Sequence, residues 1–252
     1  MELNDVFQRN KAKTESEEVV LNPQDLMVGL KKDNEESKTA ENNETNFNLF
    51  DEITEKTRED LIARDITSLF PIQVAWFKDV YDNKDMIARD LTGSGKTLAF
   101  CLPLVERFRK LGYFKQSKTY VRNLYAIILA PTRELAIQIT NELKKLMHRE
   151  NEYKVITVYG GVPIDAQTKE LRYGVEFFVG TWGRVLDHIE RGNIDFGYLK
   201  TVILDEADQM LNLGFQEDIE KIMSSVMEKV KEKPQFLLFS ATIPEWLKNV
   251  AK

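Results

Sequence analysis

DMIARDLTGSGKTLAFCLPLVERF, residues 85–108, decides how this chain folds. It opens on a short apolar run, Met86-Ile87-Ala88, and turns through Thr92, Gly93, Ser94 and Gly95. It closes with a stretch whose apolar residues keep helical spacing. Strand, glycine turn and helix in that order build a loop whose backbone N–H groups surround phosphate oxygens. The helix N-terminus adds its partial positive charge. Lys96 is placed to reach the terminal phosphates of a nucleotide, and the Thr97 hydroxyl to ligate Mg²⁺. One position departs from the pattern: Asp90 stands, six residues before Lys96, where a glycine or an alanine is usual. At ~6 Å and an effective dielectric of ~20, its repulsion of a phosphate is of order 3 kcal/mol. Pointing away, or pairing with Arg89 or Arg64, would relieve it. Asp90 is expected to weaken nucleotide affinity, so unchanged dissociation constants in Asp90→Ala would contradict that expectation.

Outward from this stretch the same alternation repeats. Apolar runs at 85–90, 124–131, 153–160, 175–181, 201–207 and 235–242 are separated by helix-like segments near 96–110, 133–149, 164–173, 183–191, 215–231 and 244–251. Strands apolar on both faces, with helices between them, predict a mostly parallel sheet covered on both sides. That is an α/β, doubly wound domain, and such sheets bind ligands beyond the carboxyl ends of their strands.

Two further motifs follow strands. Asp205-Glu206-Ala207-Asp208 comes after Val202-Ile203-Leu204. Asp205 there can hold Mg²⁺, commonly through water. Glu206, one residue on, can orient and deprotonate the water that attacks a γ-phosphate. Alone, such acids are as well explained by a helix N-terminus; the upstream phosphate loop favours the chemical reading. Ser240-Ala241-Thr242 follows Gln235–Phe239, and its two hydroxyls can link the acids to moving parts or simply cap a helix.

Bulk composition narrows the classes. A hydrophobic content of 42% suffices for a sizeable core. No run approaches ~18 apolar residues, so no membrane partner is expected, and the N-terminus has no secretory pattern. The single cysteine, Cys101, excludes an internal disulfide framework and suits an intracellular, reducing compartment. His148 and His188 are the only histidines and lie far apart, which argues against zinc. The net charge of −6 argues against broad electrostatic binding of nucleic acid, though not against a grip on a few phosphates. Residues 1–46 read as a polar, acidic, disordered tail. Within it VVLNPQDLMVGL is either an incidental apolar cluster or a short docking motif.

TGSGKT (92–97), PTRELA (131–136), GG (160–161), TWGR (181–184), DEAD (205–208) and SAT (240–242), in that order, resemble the N-terminal, RecA-like P-loop domain of DEAD-box RNA helicases. The resemblance runs from about Phe50 to the last residue. Phe70-Pro71-Ile72-Gln73 and DQMLNLGF look most like the nucleolar Gu, or RNA helicase II, subgroup. The resemblance implies that ATP and Mg²⁺ are bound. Gln73 would read adenine, and Phe50 would be the upstream aromatic of the same motif. Lys96, Thr97, Asp205 and Glu206 would serve phosphate, metal and general-base roles, while Asp208, Ser240 and Thr242 would couple ATP state to RNA grip. RNA would be held along its sugar-phosphate backbone at Pro131, Thr132, Arg133, Gly161, Thr181, Gly183 and Arg184, with little sequence preference.

The resemblance also implies a second RecA-like domain that supplies arginine fingers. The chain, read as a 47–252 ATP-binding domain, is expected to lack that second domain. It is therefore expected to act as a monomer that binds adenine nucleotide, hydrolyses ATP little and unwinds nothing alone. The subgroup suggests nucleolar ribosome assembly. Several positions depart from the family pattern. Leu69 and Phe70 replace proline and a hydroxyl residue, Asp65 replaces glycine, and Trp182 replaces the proline of TPGR. Trp182 either fills a packing site or offers a ring near the RNA path, and Lys115–Arg122 reads as a solvated loop. Two other classes remain: a catalytically weak RNA clamp, and a different P-loop NTPase such as a DNA translocase.

Overall fold

The computed structural model describes residues 46–89, 95–114 and 122–241. The tail, Asp90, Thr92, Gly93, Ser94, Lys115–Val121, Thr242 and the helix expected at 244–251 lie outside the described residues.

Each apolar run supplies a strand, trimmed at its polar ends. These are β1 (Met86–Arg89), β2 (Ala126–Ala130), β3 (Val155–Val158), β4 (Phe177–Thr181), β5 (Thr201–Leu204) and β6 (Gln235–Ser240). They form one sheet in the order β1-β6-β5-β2-β4-β3, with every neighbouring pair parallel. The residues of β2 and β5 are all buried, as double coverage requires.

The helices divide between the two faces. α1 (Glu55–Ile62), α2 (Pro71–Tyr81), α3 (Lys96–Lys110) and α4 (Arg133–Lys145) cover one face. α5 (Ile164–Leu171), α6 (Trp182–Glu190), α7 (Ala207–Asn212) and α8 (Gln216–Lys229) cover the other. Alternate strand residues feed the two cores: Ile128, Val179 and Phe239 point into the first, and Ile127, Phe178 and Leu238 into the second. Phe239 is the aromatic hub of the first core, 5.1 Å from the Trp76 ring and 5.0 Å from the Phe100 ring. Truncation of such a buried phenylalanine to alanine costs about 3–5 kcal/mol.

The amino ends of the strands are closed by a polar staple. Arg107, buried on α3, donates to the Val80 carbonyl (2.9 Å), Asn83 Oδ1 (3.0 Å), Gln235 Oε1 (2.8 Å) and Thr201 Oγ1 (2.6 Å). Burial lowers its pKa to about 10. Those four bonds tie α2, β5 and β6 together on the edge away from the motifs.

Candidate functional site

All six strands run the same way, so their carboxyl ends gather on one edge. Register places Leu204 beside Leu238 and Arg89 beside Ser240. The phosphate-loop, acidic and serine motifs therefore emerge from three adjacent strands, β1, β6 and β5.

Gly95 is the N-cap of α3, at φ +86° and ψ 20°, a left-handed conformation that suits glycine. Lys96 begins the helix and is buried. The Asp205 carboxyl is buried with it, at 2% exposure. Burial pushes the Asp205 pKa up to about 6, opposed chiefly by the charge of Lys96. A buried carboxylate faced by one lysine has capacity for a further cation. Among the described residues no group of three or more His, Cys, Asp or Glu could cage a metal on its own. A hard ion would thus complete its shell with Thr97, phosphate oxygens and water, as Mg²⁺ does.

The acidic motif is anchored from below, because Asp205 N donates to the Leu129 carbonyl at 3.0 Å. Asp205 Oδ1 accepts from Glu206 N at 3.0 Å. Glu206 is left-handed (φ 52°, ψ 46°) and is the N-cap of α7. A non-glycine residue held there costs about 1–2 kcal/mol, and such strain concentrates at functional sites. Asp208 follows in the first turn of α7. Ser240 is fully buried at the end of β6. Arg89 Nε donates to the Ala241 carbonyl at 3.2 Å, linking the ends of β1 and β6. Arg64 pairs with Glu142, so both arginines considered as partners for Asp90 have partners of their own.

Gln73 lies at the third position of α2. Its Oε1 accepts from Phe70 N (2.8 Å) and its Nε2 donates to the Gly95 carbonyl (3.1 Å). This is half a capping box, since Phe70 has no side-chain acceptor to return the bond. Phe70 itself is 57% exposed. Phe50, the expected upstream aromatic of the adenine motif, packs against the same helix. It is buried and stacked on Phe77, centroids 4.2 Å apart. Phe77 is one turn beyond Gln73 on α2, so Phe50 supports the helix that carries the glutamine.

The second set of motif residues surrounds β2, β3 and β4. Thr132 caps α4, its Oγ1 accepting from Leu135 N at 3.2 Å. The Arg133 guanidinium lies 4.3 Å from the Tyr159 ring centroid. Gly161 has φ +82°. Pro131, Thr181, Gly183 and Arg184 join Gly160, Trp182, Asp187 and Phe215 around a cleft of about 390 Å³. Trp182 is half-buried and stacks on Phe215, with centroids 3.7 Å apart and planes at 27°.

Arg184 is more committed than its motif suggests. It donates to the Val162 carbonyl (2.9 Å) and Gln167 Oε1 (3.0 Å) and lies 3.3 Å from Asp187 Oδ2. It fixes the turn after Gly161, and a phosphate would have to compete with those partners. Neither Phe215 nor Gln167 was among the expected site residues; Phe215 closes the DQMLNLGF stretch, and both act through tertiary contacts that sequence spacing does not reveal.

Among the described residues no helix is long and apolar enough to cross a membrane. Comparison with known proteins agrees with the geometry. The DEAD/DEAH box helicase family matches residues 70–250. ATP-dependent RNA helicase DDX50 of Mus musculus is 43% identical over 220 residues, covering 86% of this chain and 29% of that protein. Nucleolar RNA helicase 2-B of Xenopus laevis is 42% identical over 243 residues, covering 96% of this chain and 29% of its own length. A crystal structure of a DEAD box protein from Methanococcus jannaschii superposes with a TM-score of 0.69 at 36% identity. It covers 81% of this chain and 52% of the other. The chain spans under a third of the length of those two curated relatives. With the TGSGKT and DEAD motifs following two strands, β1 and β5, that flank β6 in one parallel sheet, the chain belongs to the DEAD/DEAH box helicase family.

Proposed function

We propose that this chain is the adenine-nucleotide-binding domain of an ATP-dependent RNA helicase. The observation that carries the reading is the direct bond between Gln73 and Gly95, which joins a base-reading amide to the phosphate loop. Gln73 Oε1 retains one lone pair and Nε2 one N–H after its two protein bonds. That pair matches the N6–H donor and N7 acceptor on the edge of adenine, whereas guanine presents two acceptors there.

Lys96 and the loop amides then neutralise phosphate charge. Asp205 and Thr97 would hold Mg²⁺, which supplies charge stabilisation of the transferring phosphoryl group. Glu206, in its strained N-cap position, orients the attacking water and accepts its proton. Ser240 sits where a change near Asp205 or Asp208 passes to β6 and to Arg89.

RNA occupies the neighbouring cleft along its backbone, touching Pro131, Thr132, Arg133, Gly161, Thr181, Gly183 and Arg184, and Arg184 also shapes the turn beneath. In the complete protein a second RecA-like domain supplies arginines worth about 10³–10⁵ in rate. The 252-residue chain alone therefore binds adenine nucleotide, hydrolyses ATP slowly as a monomer and separates no duplex. The names of two relatives, nucleolar RNA helicase 2-B and nucleolar RNA helicase 2, support a nucleolar setting.

The test is RNA-stimulated ATP turnover in protein carrying both domains, compared with Glu206→Gln. Stimulated turnover that falls by at least a hundredfold, with nucleotide still bound, supports an enzyme. Unchanged RNA remodelling in Glu206→Gln would contradict it. That result would favour the second reading, an RNA clamp with nucleotide as a structural ligand, which the half-complete capping box at Phe70 and Gln73 makes the main competitor.

A further inference from the structure

We propose that the stacked pair Trp182–Phe215 is a platform for a nucleobase, so that this chain holds RNA by a base as well as by its backbone. The inference rests on the RNA-binding reading above. Both rings are half-buried and both line the 390 Å³ cleft. Their positions are fixed on both sides. Trp182 is the first residue of α6, directly after Thr181 at the end of β4. Phe215 is set by the turn at Gly214, φ +84°, that separates α7 from α8.

Packing explains only part of this arrangement. Trp182 leans on the second core, yet the pair also borders an open cleft. Two of the residues lining the cleft are glycines with open space beside them: a Cβ built on Gly160 or Gly183 would meet no atom within 4 Å beyond its chain neighbours. A flat heterocycle has room there, and a π-face accepts any base.

The surroundings select a base tethered to phosphates over an apolar peptide. α4 and α6 both begin at this edge, at Arg133 and Trp182, with their partial positive charge toward it. Among the described residues lining the cleft the one carboxylate, Asp187, is offset by Arg184 at 3.3 Å. The proline that the family pattern carries at this position has no ring face to offer, so the contact is a property of this chain's own spelling.

The experiment measures anisotropy of a labelled short oligoadenylate, and of an all-abasic sugar-phosphate oligomer of the same length, titrated with the chain. Wild type is compared with Trp182→Leu and Trp182→Phe, each checked for an intact thermal transition. Wild type is expected to favour oligoadenylate by about tenfold. Trp182→Leu should lose that preference while binding the abasic oligomer as wild type does, and Trp182→Phe should keep most of it. Should Trp182→Leu fail to fold, Phe215→Leu provides the same comparison. Equal wild-type affinity for the two oligomers, or an equal loss on both in the leucine variant, would overturn the platform alone. Binding of neither oligomer by wild type would overturn the RNA-binding reading and the platform with it.

Discussion

Gln73 and Gly95 are joined by a 3.1 Å hydrogen bond, and a methyl group on Gly95 would stand 2.6 Å from the same Gln73 nitrogen. The helix that carries Gln73 and the turn that opens α3 are thus one mechanical unit. Phe70 closes the contact from the other side, 2.9 Å from the same added methyl position. Adenine affinity and phosphate affinity should therefore fail together when this contact is disturbed.

Gly95→Ala tests the coupling. The substitution forces a side chain into a left-handed conformation and pushes Gln73 away. It should cost about 1–3 kcal/mol of stability and weaken ADP by at least tenfold. Calorimetric titration with ADP and a thermal melt measure both. Wild-type ADP affinity in the alanine variant would show that Gln73 is not coupled to the loop.

Asp205→Asn separates stability from function. The carboxylate is buried, and burial raises its pKa to about 6, so its charge is held at a cost near neutral pH. Asparagine keeps an oxygen for Glu206 N–H and removes the charge. The nucleotide-free variant should be about 1–3 kcal/mol more stable, with Mg²⁺-dependent ADP affinity reduced at least tenfold. Denaturant unfolding and titration with and without Mg²⁺ measure the two effects. A less stable variant with intact Mg²⁺ dependence would contradict the assignment.

Much of this was legible in the sequence because the strands are buried on both faces. Ala126–Ala130 reads as a continuous apolar run, and only a doubly covered parallel strand needs that. The phosphate loop and acidic motif are equally local: their chemistry lies within a few consecutive residues. Less legible were features set by distant partners. The expected helix at 215–231 is preceded by a separate short helix, Ala207–Asn212, because Gly214 turns left-handed between them. The stacking of Phe50 on Phe77, which ties Phe50 to the helix carrying Gln73, could not be read from the sequence. The bonds from Arg184 to the Val162 carbonyl and Gln167 Oε1 were likewise set by partners that the motif does not name. Arg107 carries no motif at all, since its four acceptors come from α2, the turn after it, β5 and β6.

His188 supplies a pH signature. It is fully buried between Gln167 Oε1 (3.1 Å from Nε2) and Asn193 Nδ2 (3.0 Å from Nδ1), with Phe178 edge-on. That pattern satisfies the neutral ring protonated at Nε2. Burial, with Arg184 and Arg191 nearby and Asp187 opposing, lowers its pKa from 6.5 to about 4. A depressed folded pKa means that its contribution is present above pH 6.5 and is lost as pH falls toward 4. The loss is of order 3 kcal/mol. His188→Gln should be less stable at neutral pH, and its melting temperature should fall less steeply across that window. Parallel pH profiles for the two proteins would contradict this account.

The most direct measurement is calorimetric titration of the chain with ADP and with GDP in Mg²⁺, for wild type and Gln73→Ala. The account predicts that wild type binds ADP at least tenfold more tightly than GDP, and that Gln73→Ala weakens ADP and removes most of that preference. Equal affinity for ADP and GDP in wild type, or no binding of either, would contradict the assignment of Gln73 and the phosphate loop as an adenine-nucleotide site.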